Sequence, residues 1–222
     1  MTKKIFLGVL IGILAIFAAA CGSIQDEKQT VTDDAKDQYK SFYNKSVFLG
    51  DSLLIGLSDV IKDSNVISNA GATALFALEE VDKIANKKPE NVFIMLGSDD
   101  LLMPIDNPKE DSLKNYAKLI KKIKGKLPKV KIHILSVPPV TKEAMEGEPR
   151  YKNIPDYNKA LEKMAVTEKV DYIDLSPIFE KHQNLYIKDG IHFKENFYPL
   201  LLNHIKKDIH SSKNNEGVRN EV

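Results

Sequence analysis

Short apolar runs alternate with helix-period segments from Ser46 to Ile209, and no other feature constrains the fold of this chain as strongly. Ser46–Leu49, Asn65–Ser68, Asn91–Leu96, Lys131–Val137 and Val170–Leu175 read as strands. Leu53–Ile61, Ala74–Ile84, Ser112–Lys124, Ile154–Ala165 and Phe197–Ile209 place apolar residues at helical spacing. Parallel strands need a crossover between them, and helical crossovers cover both faces of the sheet. The pattern therefore predicts an α/β fold, with helices on both sides of a parallel sheet. Pro138-Pro139 ends the fourth strand. Ligands of such sheets gather beyond the carboxyl ends of the strands. Gly50-Asp51-Ser52, Asn69-Ala70-Gly71 and Gly97-Ser98-Asp99-Asp100 each follow a strand directly, so all three are expected at one edge.

The two ends of the chain read differently. Lys3 and Lys4 precede an apolar run from Ile5 to Phe17, which is shorter than the roughly 20 residues of a membrane span. Ala18-Ala19-Ala20-Cys21-Gly22 then sets small residues before the single cysteine. Residues 1–20 thus resemble a bacterial lipoprotein signal peptide, which implies lipidation of Cys21 and an extracytoplasmic protein anchored to the cell membrane; an ordinary cleaved signal is the alternative. Residues 21–44 are polar and acid-rich and read as a tether, and residues 211–222 as a disordered tail. The intervening residues 45–210 suffice for one domain with its own core.

A lone cysteine allows no internal disulfide, and no Cys/His spacing suggests a metal, so neither metal nor cofactor is expected. The 32 basic and 31 acidic residues leave a net charge of +1. Removing residues 1–20, which hold two lysines and no acid, makes it −1. Such a chain is not a general nucleic-acid binder. The lysines between Lys118 and Lys131 read as a solvated helix end, with anionic headgroups or wall polymers as the sharper alternative.

Ser52 stands where a strand hands over to a helix. Its own N–H and the helix dipole could stabilise an oxyanion there, although Asp51 or Ser52 could equally cap the helix. Near the far end, Asp189-Gly190-Ile191-His192 brings a carboxylate and an imidazole within one turn. Asp189 can orient His192, leaving its other ring nitrogen to activate Ser52. His133, His182, His204 and His210 show no comparable acid partner and loop position. The chain lacks Gly-x-Ser-x-Gly, which disfavours the α/β-hydrolase elbow.

Gly50-Asp51-Ser52-Leu53, Asn69-Ala70-Gly71, Gly97-Ser98-Asp99-Asp100 and Asp189-Gly190-Ile191-His192 stand in the order of four sequence blocks of the SGNH/GDSL hydrolases. The chain resembles that family, also called GDSL-like lipase/acylhydrolases, over nearly all of residues 46–209. The resemblance implies a flavodoxin-like three-layer α/β/α sandwich around a five-stranded parallel sheet. It implies Ser52 as nucleophile, with Asp189 and His192 as acid and base. It also implies an oxyanion hole from the N–H groups of Ser52 and Gly71 and the side chain at position 99. There the chain departs from the pattern, having Asp99 where the family has asparagine. An ionised aspartate accepts hydrogen bonds and repels an oxyanion. Asp99 could be held protonated and donate, could point away and leave the two amides to form the hole, or could mark weak or lost activity. The second reading is the one preferred from sequence.

The expected activity is hydrolysis of carboxylic esters outside the membrane, with O-acetyl groups on wall glycans as the favoured substrate. An acyltransferase using the same three residues, and a binding lipoprotein that has lost the chemistry, are the alternatives. Glu143–Tyr151 is expected as a long polar loop beside the substrate mouth.

Overall fold

The computed structural model describes residues 32–219, with side chains to Ser211. Cys21 and the signal segment lie outside the described residues. Five strands, β1 (Ser46–Gly50), β2 (Val66–Ser68), β3 (Asn91–Met95), β4 (Lys131–Leu135) and β5 (Asp171–Ile173), form one sheet in the order β2-β1-β3-β4-β5. Every pair is parallel. Seven α-helices accompany them among the described residues: α1 (Asp33–Phe42), α2 (Val81–Asn86), α3 (Pro108–Lys126), α4 (Lys142–Gly147), α5 (Ile154–Glu168), α6 (Ser176–Lys181) and α7 (Phe197–Arg219).

Strand residues alternate between two cores, as a pleated sheet covered on both faces requires. Val47, Leu49, Val92, Ile94, Ile132 and Ile134 pack against α2, α3 and α5, through Ile84, Tyr116, Ile120, Tyr157 and Leu161. Phe48, Phe93 and Leu135 face the opposite layer, where they meet Leu54, Leu57, Phe197, Leu201 and Ile205. Full burial of one such side chain stabilises the fold by about 1.5–3 kcal/mol, so both layers are strongly held. The expected three-layer α/β/α sandwich is the fold.

The departures from the sequence reading lie in the connections. The stretch expected as tether contains α1, started by Thr32, whose Oγ1 accepts from the Ala35 N–H, with Asp33 and Asp34 in the first turn. Tyr43, just beyond, is buried and donates its hydroxyl to the Leu202 carbonyl at 2.6 Å, so the domain begins before residue 45. At the other end α7 continues through the expected tail to Arg219. The helix expected at Leu53–Ile61 is a 3-10 helix over Ser52–Asp59. Gly56 lies in its middle, and a Cβ there would come within 2.5 Å of the Tyr198 ring, so the close approach requires glycine. The loop expected at Glu143–Tyr151 is α4 followed by a 3-10 turn at Pro149–Asn153.

Three lysines of the patch make contacts between elements. Lys124 Nζ donates to the carbonyls of Glu168 and Lys169, Lys121 pairs with Glu168 at 3.2 Å, and Lys126 pairs with Asp82 at 2.6 Å. No helix among the described residues is long and apolar enough to cross a membrane.

Candidate active site

Gly50 at the end of β1 lies opposite both Ser68 and Met95, so β2, β1 and β3 finish at one level. Each then releases one of the polar blocks at the same edge. Buried side chains tie the blocks together. Asp51 caps the Ser52–Asp59 helix by accepting from the Leu53 N–H at 2.9 Å, and its other oxygen accepts from the Ser98 hydroxyl at 2.5 Å. Asp100 accepts from the Ala74 N–H at 3.0 Å, joining the third block to the segment after the second. Sequence reasoning assigned nothing to Ser98 and considered Asp100 only as the neighbour of Asp99; their position in the third block was the available signal.

The fourth block arrives from far along the chain. Ser52 Oγ and His192 Nε2 are 2.8 Å apart, and His192 Nδ1 lies 2.7 Å from Asp189 Oδ2. Asp189 Oδ1 accepts from the backbone N–H groups of Ile191 and His192, both at 2.9 Å. Burial alone would raise the Asp189 carboxyl, but the Ile191 and His192 N–H groups and the His192 ring together hold it below the usual carboxylate range. An ionised Asp189 can only accept, so Nδ1 carries the proton and Nε2 is free to accept from the Ser52 hydroxyl. The side chains of Asp189 and His192 are 39% and 40% exposed, so the group opens directly onto the surface.

Gly190 locks this turn in place. Its φ of +71° favours glycine, and a Cβ would lie 2.1 Å from Thr141 Oγ1. Its carbonyl also accepts from the Thr141 N–H at 2.9 Å. The α4 segment therefore stands against the fourth block, and the Arg150 guanidinium reaches back to the Leu102 carbonyl beside the third at 2.7 Å. Tyr151, in the same segment, is buried within electrostatic reach of Asp99, Asp51 and Asp189. Only the length and polarity of the segment signalled its place.

Gly71 sits exposed at this edge with φ +73°. Neither its N–H nor that of Ser52 has an acceptor among the described residues, so both are available to an oxyanion. Asp99 lies within electrostatic reach of His192, with Oδ2 shielded from water. Burial raises its carboxyl above the usual range, His192 opposing in part. Burial likewise pushes Asp51 up to about 7 and raises Asp100, with hydrogen bonds opposing in both cases. No group of three or more His, Cys, Asp or Glu residues among the described residues could hold a metal ion.

A parallel five-stranded sheet with four polar blocks at its carboxyl edge defines an SGNH-type hydrolase architecture. The GDSL-like Lipase/Acylhydrolase family profile matches residues 48–199. The chain belongs to that family, and with it to the carboxylic ester hydrolases. In fold it is similar to a GDSL-like lipase from Bacteroides thetaiotaomicron (TM-score 0.62, 21% identity, covering 79% of this chain and 90% of that one). It is also similar to an acetylxylan esterase from Geobacillus stearothermophilus (TM-score 0.55, 17% identity, covering 74% and 93%). Over 172 residues, 72% of its length, it is 30% identical to an N-acylneuraminate cytidylyltransferase from Escherichia coli, of which it spans only 41%.

Proposed function

We propose that this protein is an extracytoplasmic serine esterase that removes acyl groups, O-acetyl above all, from glycans of the cell envelope. The observation that carries the reading is the continuous chain of contacts from Ser52 through His192 to Asp189. Ser52 Oγ attacks the ester carbonyl while His192 Nε2 takes its proton. The tetrahedral intermediate collapses as His192 returns that proton to the leaving alcohol. Water, deprotonated by the same nitrogen, then releases the acyl group from Ser52. Asp189 holds the Nδ1–H tautomer and stabilises the imidazolium of each half-reaction. The Ser52 and Gly71 amides receive the negative charge.

The exposed His–Asp pair supports a bulky alcohol such as a glycan, because a large leaving group can approach without entering a deep channel. The acetylxylan esterase among the fold neighbours acts on an acetylated polysaccharide and favours the same substrate class. Location outside the membrane, through lipidated Cys21, belongs to this proposal and rests on the sequence of the first 22 residues.

The test is a fluorophosphonate probe on the purified protein beside Ser52→Ala, read by intact mass, with acetate release from acetylated xylan and peptidoglycan measured in parallel. One adduct on the parent protein, none on the variant, and acetate release lost with it are expected. A folded parent protein that takes no adduct would overturn the reading.

A further inference from the structure

Among the described residues seven large apolar side chains are exposed, and five of them flank the four blocks of the site. Ile55 stands three residues after Ser52, Leu75 and Phe76 four and five after Gly71, Ile105 five after Asp100, and Ile187 two before Asp189. The other two, Phe42 and Val166, lie shortly before β1 and β5, at the opposite edge of the sheet. Scattered exposed apolar residues need no explanation, but a concentration around one edge marks a surface that binds something. The segment carrying Leu75 and Phe76 is the clearest case. Both Asp100 carboxylate oxygens accept from the Ala74 N–H, at 3.0 and 3.2 Å, and Thr73 Oγ1 accepts from the Phe76 N–H at 3.4 Å. The backbone is thus pinned beside the third block. Its small residues Thr73, Ala74 and Ala77 are buried, whereas Leu75 is 46% and Phe76 55% exposed. Burial of apolar area favours the reverse.

The shape of this edge selects the ligand. It is open: a Cβ on Gly71 would meet nothing within 4 Å, and the His192–Asp189 pair reaches the surface. An alkyl chain leaves water only where walls enclose it, and these apolar side chains stand on separate loops. A pyranose ring needs one wall. Its C–H face is apolar and rests on an aromatic ring, while its hydroxyls stay in water. We propose that Phe76, with Leu75 beside it, is a platform on which one sugar ring of the substrate stacks while a neighbouring ring presents its ester to Ser52. The inference rests on the esterase reading above and adds that the enzyme recognises an oligomeric glycan in preference to an isolated ester. Phe76 takes no part in proton transfer. Its loss therefore weakens ground state and transition state alike, raising KM with kcat unchanged.

The experiment measures kcat and KM for 4-nitrophenyl acetate and for acetylated xylo-oligosaccharides of graded length. It compares the parent protein, Phe76→Ala, Phe76→Trp and the remote control Val166→Ser. Phe76→Ala should raise KM for the longer oligosaccharides about tenfold at unchanged kcat. It should leave kcat/KM for 4-nitrophenyl acetate within about twofold of the parent, because that substrate reaches no platform. Phe76→Trp should restore the parent KM, and Val166→Ser should match the parent throughout. The chain contains no tryptophan, so Phe76→Trp in a Ser52→Ala background supplies a single fluorescent reporter. Its emission should shift on adding acetylated xylo-oligosaccharide or acetylated peptidoglycan fragments, and not on adding acetate. A reporter silent to both glycans, or an oligosaccharide KM unchanged in Phe76→Ala, would overturn the proposal. So would an equal loss on 4-nitrophenyl acetate, which indicates a structural role. A loss that grows from 4-nitrophenyl acetate to the octanoate would assign the platform to an alkyl chain and overturn it too. Failure of the esterase reading is separate, since then the parent protein itself would match Ser52→Ala on 4-nitrophenyl acetate.

Discussion

Two histidines in this chain each meet an aspartate, and their surroundings make them different instruments. His192, beyond the carboxyl ends of the strands, has Asp189 at 2.7 Å on one nitrogen and the Ser52 hydroxyl at 2.8 Å on the other. His133, inside β4, has Asp171 at 3.1 Å on one nitrogen and the Asn91 side-chain oxygen at 3.1 Å on the other. Its ring is 5% exposed and stacks on Phe93 with centroids 4.7 Å apart. Both pairs look alike on paper. An imidazole moves protons only where its far nitrogen faces a group that must gain or lose one, and His133 faces a side-chain amide instead. The lower pair fastens β3, β4 and β5 together; the upper pair is exposed and poised.

The contrast is sharpest in rate. His192→Ala should lower kcat/KM at least about 10⁴-fold, as loss of the general base does in serine hydrolases. His133→Phe should leave kcat/KM within about threefold and lower the melting temperature, through the loss of one imidazole hydrogen bond worth about 0.5–1.5 kcal/mol and of the link between Asn91 and Asp171. A hundredfold drop in rate for a well-folded His133→Phe would break the comparison.

Stability against pH separates the two ends next, because buried Asp51 and exposed Asp171 are perturbed in opposite senses. Burial raises Asp51 to about 7. Its contribution is then fully present below the unfolded value near 4 and fades as pH rises towards about 7. The limit of the change is about 4 kcal/mol by linkage. Asp51→Asn should flatten the urea midpoint between pH 4 and 7. Equal slopes in variant and parent would remove Asp51 as the cause.

Asp171 gives the smallest effect and the opposite sign. The hydrogen bond from His133 holds its carboxyl below the usual range, so its contribution exists above the unfolded value and disappears as pH falls through the folded one. The side chain is 61% exposed, so solvent screening limits the effect to less than about 1 kcal/mol. Asp171→Asn should therefore trim the urea midpoint at neutral pH, converge with the parent in acid, and leave kcat/KM unchanged.

What could be read from sequence follows from how far apart the interacting residues lie. All five strands were legible, because burial on both faces leaves continuous apolar runs such as Val92–Met95. Asp189 and His192 were legible as a pair because three residues separate them. Asp171, on the strand beside His133, was not, since that partnership exists only through the register of β4 and β5. The long-range Ser52–His192 contact came from the family resemblance, not from any local pattern. The helix at Asp33–Phe42 was missed because its apolar face is short, only Ala35, Tyr39 and Phe42 among polar residues, and none of them is buried. The shielding of Asp99 Oδ2 was not legible, because the packing around it is a property of the fold.

The turn at Asp189–His192 is a self-contained unit. The carboxylate binds the ring it orients and the two backbone amides beside it, while Gly190 is pinned to Thr141. Base and orienting acid therefore travel together, and a single bond of 2.8 Å connects them to the serine. Gentle heating or low urea would uncouple the halves at that joint first, giving an enzyme silent yet still folded, whose silence reverses on cooling or dilution.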